Sequence, residues 1–74
     1  MKITIDLKAS LNSQVRVENY RSIYKPWEGG TVERISIHIR YDGVPYVIYD
    51  VRLHRLSRGY PMFLHVGDDG IEPR

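Results

Sequence analysis

Several polar side chains in this chain have the residue types of catalytic or metal sites. His38, His54 and His65 are possible metal ligands, and Asp50, His54 and Ser57 have the composition of a serine triad. The histidines lack a metal-ligand spacing. Residues along one strand diverge instead of converging on a nucleophile, and no nucleophile-elbow glycines surround Ser57. We therefore expect no enzyme, no metal site and no cofactor.

The basic residues indicate a different chemistry, the binding of a polyanion. Arg52, Arg55 and Arg58 lie between Val51 and Val66, a stretch that contains no carboxylate. Projecting cations suffice for phosphate contacts, although they do not read sequence. The net charge is only +2, so a solvated protein surface is the competing interpretation.

A second segment, Tyr20-Arg21-Ser22-Ile23-Tyr24-Lys25-Pro26-Trp27, mixes aromatic and basic residues. Such mixtures can stack bases and neutralise phosphates, so Arg21 and Lys25 join the candidate nucleic-acid-binding residues. The alternative is that Tyr20, Tyr24 and Trp27 cover the core. We favour that alternative for Trp27, because so short a domain has little core volume.

The elements that carry these residues are strands, and the longest hairpin has a testable register. Residues 31–41 and 45–56 alternate around a loop of Tyr41, Asp42 and Gly43. A three-residue loop, with Gly43 at positive φ, places the apolar side chains of both strands on one face of the hairpin. A two-residue loop would put a carboxylate on the isoleucine face, so the register set by the three-residue loop is predicted. Its cross-strand pairs are Ile39 with Pro45, Ile37 with Val47, Ile35 with Tyr49, and Arg34 with Asp50.

The rest of the chain also favours strands. Alternation predicts strands at 2–7 and around Met62, Leu64 and Val66, while 25–30 and 57–59 read as loops. Residues 14–24 could be strand or helix, and their β-branched content favours a strand. We predict one all-β domain over 1–74, a single small antiparallel sheet of about four to five strands with a long central hairpin. Residues 67–74 are expected to form a flexible tail.

The second face of the hairpin is mixed, which indicates that something covers it. Val32, Tyr46 and Ile48 are apolar among charged neighbours, and a chain of 74 residues without cysteine has a thin core and no disulfides. We expect a homodimer with these three residues at or near the contact. No apolar run is long enough to span a membrane and no signal peptide is recognisable, so a cytoplasmic protein is expected.

The strand Val47-Ile48-Tyr49-Asp50-Val51-Arg52-Leu53, a polar turn with Gly59 and an apolar strand to Leu64 together resemble the SpoVG family. Ser36-Ile37-His38-Ile39 and Val15-Arg16-Val17 look like earlier strands of that family, and the resemblance covers about residues 15–64. It implies a regulator that binds DNA or RNA and dimerises through its sheet. The basic loop and C-terminal helix of that family have no counterpart after His65.

Two functions are thus predicted. The first is a small non-enzymatic regulator that binds DNA or RNA through Arg52, Arg55 and Arg58, with Arg21 and Lys25. The alternative is a protein-binding module, such as an inhibitor or adaptor, that uses an edge strand or the mixed sheet face.

Overall fold

A computed structural model describes residues 4–74 of the chain. It is built from strands: β1 (Gln14–Glu18), β2 (Trp27–Ile39), β3 (Pro45–Ser57), β4 (Tyr60–Val66) and β5 (Ile71–Pro73), with a 3₁₀ turn at Asp68–Gly70. The five strands form one antiparallel sheet in the order β4-β3-β2-β1-β5, which confirms the predicted fold class. Within residues 4–74, no helix has the length and apolarity needed to cross a membrane.

The predicted register of the central hairpin is confirmed. Ile39 pairs with Pro45, Ile37 with Val47 and Ile35 with Tyr49. Gly43 adopts a φ of 85°, and its N–H donates to the carbonyl of Arg40 at 2.8 Å. A residue without a Cβ is favoured at that φ, so the turn chemistry and the apolar alternation select the same pairing.

A β-bulge lies at Glu33, between the pairs Val32–Val51 and Arg34–Asp50. The extra residue reverses the alternation, so Val32 and Ile35 face the same side of the sheet. Val32 is fully buried in the core. The prediction that Val32 lies on the second face was wrong, because a strict period of two was carried through a bulged strand.

The sheet curls so strongly that it forms an incomplete barrel. β4 and β5 are the two outer strands, which in a flat sheet would lie about 19 Å apart. Only residues 67–70 connect them, and they include a 3₁₀ turn, which rises about 2 Å per residue. Because of this curl, one cleft of about 270 Å³ is lined by both Glu18 of β1 and His65 of β4.

The interior of this barrel is the hydrophobic core, and every strand contributes to it. Tyr49 lies at its centre without exposed surface, and burial raises the pKa of its phenol above the ordinary value. The Tyr49 hydroxyl accepts the Lys8 N–H at 2.9 Å and donates to Asp68 Oδ1 at 3.3 Å. The buried members of the core are Val15, Val17, Val32, Val47, Tyr49, Val51, Leu53, Leu64, Val66 and Ile71.

Residues before β1 cross the core without being a strand. Residues 4–7 have no regular structure, so the strand predicted at 2–7 is wrong there, and its residues 2–3 lie outside the described part of the chain. Ile5 and Ala9 pack against the core instead. The apolar side chains of this segment contribute to packing. Its backbone is hydrogen-bonded by the Tyr49 hydroxyl and not by a neighbouring strand.

Three other boundaries differ from the predictions. The strand expected at 14–24 ends at Glu18, and the loop expected at 25–30 is strand from Trp27 onward. The expected tail at 67–74 is a 3₁₀ turn followed by β5, where Ile71 pairs with Val17 and is buried. A single buried isoleucine and a ladder with β1 hold that segment in the sheet.

The far half of the hairpin extends past the neighbouring strands, although Val47 at its base is part of the core. Beyond the bulge, residues 34–48 extend past the pairing of β1, which ends at Thr31, and of β4, which ends at Tyr49. We call residues 34–48 the arm. Its length contributes to the 46 Å long axis of the molecule, and Ile37 and Ile39 remain 54% and 56% exposed on it.

Candidate binding surfaces

The three arginines of the predicted polyanion site do not form one surface. Arg52 lies on the outside of the barrel, where its Nε is 3.0 Å from Glu33 Oε1. Arg55 lies beyond the buried Leu53 and contacts Glu28, with Nε 2.6 Å from Oε1. Arg58 lies in the two-residue turn between β3 and β4, with a φ of 51°. Two of the three cations are thus neutralised by carboxylates.

Arg55 and Glu28 belong to a polar bridge at one end of the barrel. Asn19, which is buried, donates its Nδ2–H to Glu28 Oε2 at 2.6 Å, and Arg55 binds both carboxylate oxygens. The guanidinium of Arg55 holds the pKa of Glu28 below its ordinary value. The bridge ties β3 to β2 and to the first residue after β1, so its role is structural support.

Asn19 also fixes the loop between β1 and β2, residues 19–26, which we call the display loop. Its side-chain oxygen accepts the Arg21 N–H at 3.1 Å, and its N–H donates to the Pro26 carbonyl at 2.8 Å. Two successive turns follow, closed by bonds from Ser22 to Asn19 and from Lys25 to Ser22. Lys25 has a φ of 45°. The loop is therefore hydrogen-bonded along its length.

The display loop presents apolar and basic side chains to solvent. Ile23 is 87% exposed and Tyr24 is 85% exposed, and Tyr20 is about half exposed. Arg21 directly follows Tyr20 and Lys25 directly follows Tyr24, and neither basic residue forms an ion pair within residues 4–74. The structure thus brings together the aromatic–basic segment that the sequence indicated. Large apolar groups held in water by a fixed loop are typical of a contact surface.

Trp27 does not cover the core as favoured from the sequence. It pairs with Glu18 at the start of β2. The side chain of Glu18 points to the face of the sheet opposite to that of the buried Val17. Trp27 therefore lies on the outside of the barrel and is 37% exposed. Tyr20 and Tyr24 are also outside the core cluster, so the core is filled by aliphatic residues and Tyr49.

The remaining outer face carries balanced charges. Asp50 lies between Arg34 and His65, with contacts of 3.6 Å and 2.6 Å, and Arg16 lies 4.0 Å from Glu72. Exposed pairs of this kind contribute little stability. They do leave this face close to neutral, which disfavours it as a phosphate-binding surface.

Of the three predicted interface residues, two remain accessible. Tyr46 stacks on His38 with ring centroids 5.1 Å apart, and Ile48 is half-buried beside it on the arm. Val32 has no exposed surface and cannot contact a partner from the core. Tyr46 and Ile48 stay predictions for an interface.

The residue types of a serine triad are not assembled. Asp50 contacts His65 and Arg34, whereas the Nε2 atom of His54 lies 3.1 Å from Thr31 Oγ1. In residues 4–74, no three or more His, Cys, Asp or Glu side chains are grouped to hold a metal ion.

Asn19, Glu28 and Ile23 were missed by sequence reasoning. Asn19 had a usable signal, since asparagine after a strand often binds its own backbone two residues on. Glu28 had none, because its partner Arg55 is far along the chain.

No protein-family model, curated protein or solved structure matches this chain. The resemblance to the SpoVG family therefore stays a prediction.

Proposed function

We propose that this protein is a non-enzymatic binding module that recognises an acidic protein surface through its display loop. The observation that carries the proposal is the exposure of Ile23 and Tyr24, 87% and 85%, on a loop held by hydrogen bonds. Binding by such a loop loses little conformational entropy, because the loop is ordered before the partner arrives.

The composition of the display loop supports a protein partner. Tyrosine and arginine are enriched at the centres of protein interfaces, and an isoleucine between two tyrosines supplies apolar contact that a phosphate backbone would not use. Arg21 and Lys25 give the loop a positive charge, and Arg55 neutralises the neighbouring Glu28. The complementary partner is therefore acidic at the rim and apolar at the centre of its contact surface.

Single-stranded nucleic acid is a second candidate ligand for the same loop. It is supported by the adjacency of Arg21 to Tyr20 and of Lys25 to Tyr24, since aromatic rings stack bases while cations contact phosphates. Two phosphate contacts would give a log–log salt slope of about −1.4 on single strands. The first prediction, through Arg52, Arg55 and Arg58, loses support because two of these arginines have carboxylate partners.

Affinity capture from a native lysate tests both candidates. The bait is the wild-type chain, the double variant Ile23→Ser/Tyr24→Ser, or the double variant Arg21→Gln/Lys25→Gln. Tyr41→Ser is the matched control, because Tyr41 is an exposed tyrosine on the arm turn. Circular dichroism and urea unfolding establish that each bait is folded.

We expect a nuclease-resistant protein partner that the Tyr41 variant retains and both loop variants lose. Capture that disappears with nuclease would instead support the nucleic-acid candidate, and an anisotropy titration of labelled single strands across a salt series would then give its slope. Equal capture by wild type and both loop variants would refute the display loop as the binding surface.

A further inference from the structure

The arm carries an unpaired strand edge on β2. β1 pairs with β2 only as far as Thr31, and Val32 uses its N–H and carbonyl to bind Ser13 and Asn12. Past Glu33, no strand among residues 4–74 pairs with this side of β2. An unpaired edge is a template for another strand.

The hydrogen-bond phase of the hairpin determines which backbone groups the edge presents. The Arg40 N–H donates to the Val44 carbonyl at 2.9 Å. Since bonded and non-bonded pairs alternate in an antiparallel ladder, Ile35, Ile37 and Ile39 occupy non-bonded pairs. Their N–H and carbonyl groups therefore point away from β3, toward solvent.

The opposite edge of the arm is less available. It begins at Pro45, which has no N–H to donate, and Gly67 lies beside the Val47 carbonyl. The β2 edge has no proline between Glu33 and Ile39 and no covering segment in the described chain. Strand addition to the arm is thus directed to β2.

We propose that a second copy of this chain occupies the β2 edge, antiparallel and about a two-fold axis at Ile37. In this register, Ile37 pairs with itself and Ile35 pairs with Ile39 of the other copy. Every outward N–H then meets a carbonyl, and isoleucine meets isoleucine on one face, so the edge is complementary to itself.

The charges of the arm are compatible with this pairing. The two arginines that face each other across the axis are Arg34 and Arg40, and each has a carboxylate of its own chain. Arg34 contacts Asp50 at 3.6 Å and Arg40 contacts Asp42 at 3.0 Å. The two arms are therefore each close to neutral and do not repel.

The contact is short, so the dimer is weak. Pairing of single edges buries less than the roughly 1,200 Å² of a stable interface, so we expect the dimer to form only at high protein concentration. This dimer is independent of the display loop, and it moves the predicted dimer contact from Tyr46 and Ile48 to the edge of β2.

Sedimentation equilibrium tests the pairing, with the wild-type chain compared with Ile37→Pro and with the control Ile37→Val. Proline removes the outward N–H of Ile37, which the hairpin itself does not use, whereas valine keeps it. We expect wild type and Ile37→Val to dimerise alike up to about 1 millimolar, and Ile37→Pro to dimerise at least about tenfold more weakly.

A second measurement needs no variant and remains decisive if Ile37→Pro fails to fold. Isotope-filtered NOEs are recorded on a mixture of labelled and unlabelled wild-type chains at high concentration. The expected result is contacts between Ile35 of one copy and Ile39 of the other. A monomer at about 1 millimolar, intermolecular NOEs confined to another surface, or an Ile37→Pro variant that dimerises like wild type would overturn the proposal.

Discussion

The adjacent residues Gly29 and Gly30 should respond in opposite ways to the same substitution by alanine. A Cβ at Gly30 would lie 2.5 Å from Val51 Cγ1 and 2.8 Å from the Arg52 carbonyl oxygen. Carbon atoms normally approach to about 3.5–4.0 Å, so β2 and β3 would have to separate by roughly 1 Å inside the core. We expect Gly30→Ala to lower the free energy of unfolding by about 3 kcal/mol or more.

At Gly29 the nearest atom is Arg74 Nη1, at 2.8 Å from the added Cβ. It is the end of a flexible side chain on the outside of the barrel, which can move at little cost. Gly29→Ala also reduces the conformational entropy of the unfolded chain, so we expect a change between zero and a stabilisation of about 1 kcal/mol.

Urea unfolding at low protein concentration measures both changes, because dilution keeps the free energy free of any dimer contribution. With an m-value of about 1–1.5 kcal/mol/M for a domain of this size, Gly30→Ala should lower the midpoint by about 2 M or more. Equal midpoints for the two variants, or a Gly30→Ala midpoint close to wild type, would refute the view that β2 and β3 approach each other at Gly30.

Three further results are expected. A carboxyl with a lowered pKa contributes stability that is complete above its unfolded pKa of 4.5 and is lost as the pH falls through its folded pKa; Glu28→Gln should therefore flatten the loss of stability below pH 4.5, as measured by urea titrations across the acid range. Gly43 has open space around it and a φ of 85°, so Gly43→Val should destabilise by about 1 kcal/mol or more and Gly43→Asn by less, in thermal unfolding. Tyr49→Phe should cost about 1 kcal/mol and speed amide exchange at Lys8, whereas unchanged exchange would contradict the bond between them.

The central hairpin could be predicted from the sequence because two independent signals agree there. The isoleucines at 35, 37 and 39 and the glycine at 43 each favour the same register. The bulge at Glu33 could not be predicted, because it depends on β1 and β3 together holding Val32 inside the barrel. A local pattern carries no information about such a constraint.

The same limit applies to Gly29 and Gly30. Two successive glycines read as a loop by composition, yet β2 includes both. Gly30 must be small because Val51 of β3 approaches it closely, and this contact exists only once β2 and β3 are paired. The short connection between β4 and β5 requires the sheet to curl. The sequence does not specify the register in which β5 pairs with β1.

Part of the candidate site could be predicted from the sequence. The segment from Tyr20 to Trp27 was identified by its mixed composition, and it contains all of the display loop except Asn19. The separation of Arg52 from Arg55 could have been foreseen, since residues three apart on one strand lie on opposite faces. Their pairing with Glu33 and Glu28 required knowledge of where β2 begins and bends.

The pairing of β1 with β5 has a consequence for the speed of folding. It joins Val17 to Ile71, residues far apart in sequence, whereas the hairpins of β2–β3 and β3–β4 close over short turns. Contacts between distant residues require a costly loop closure before they contribute stability. We therefore expect β5 to dock after the rate-limiting barrier, so that Ile71→Val accelerates unfolding in stopped-flow kinetics and leaves the refolding rate nearly unchanged.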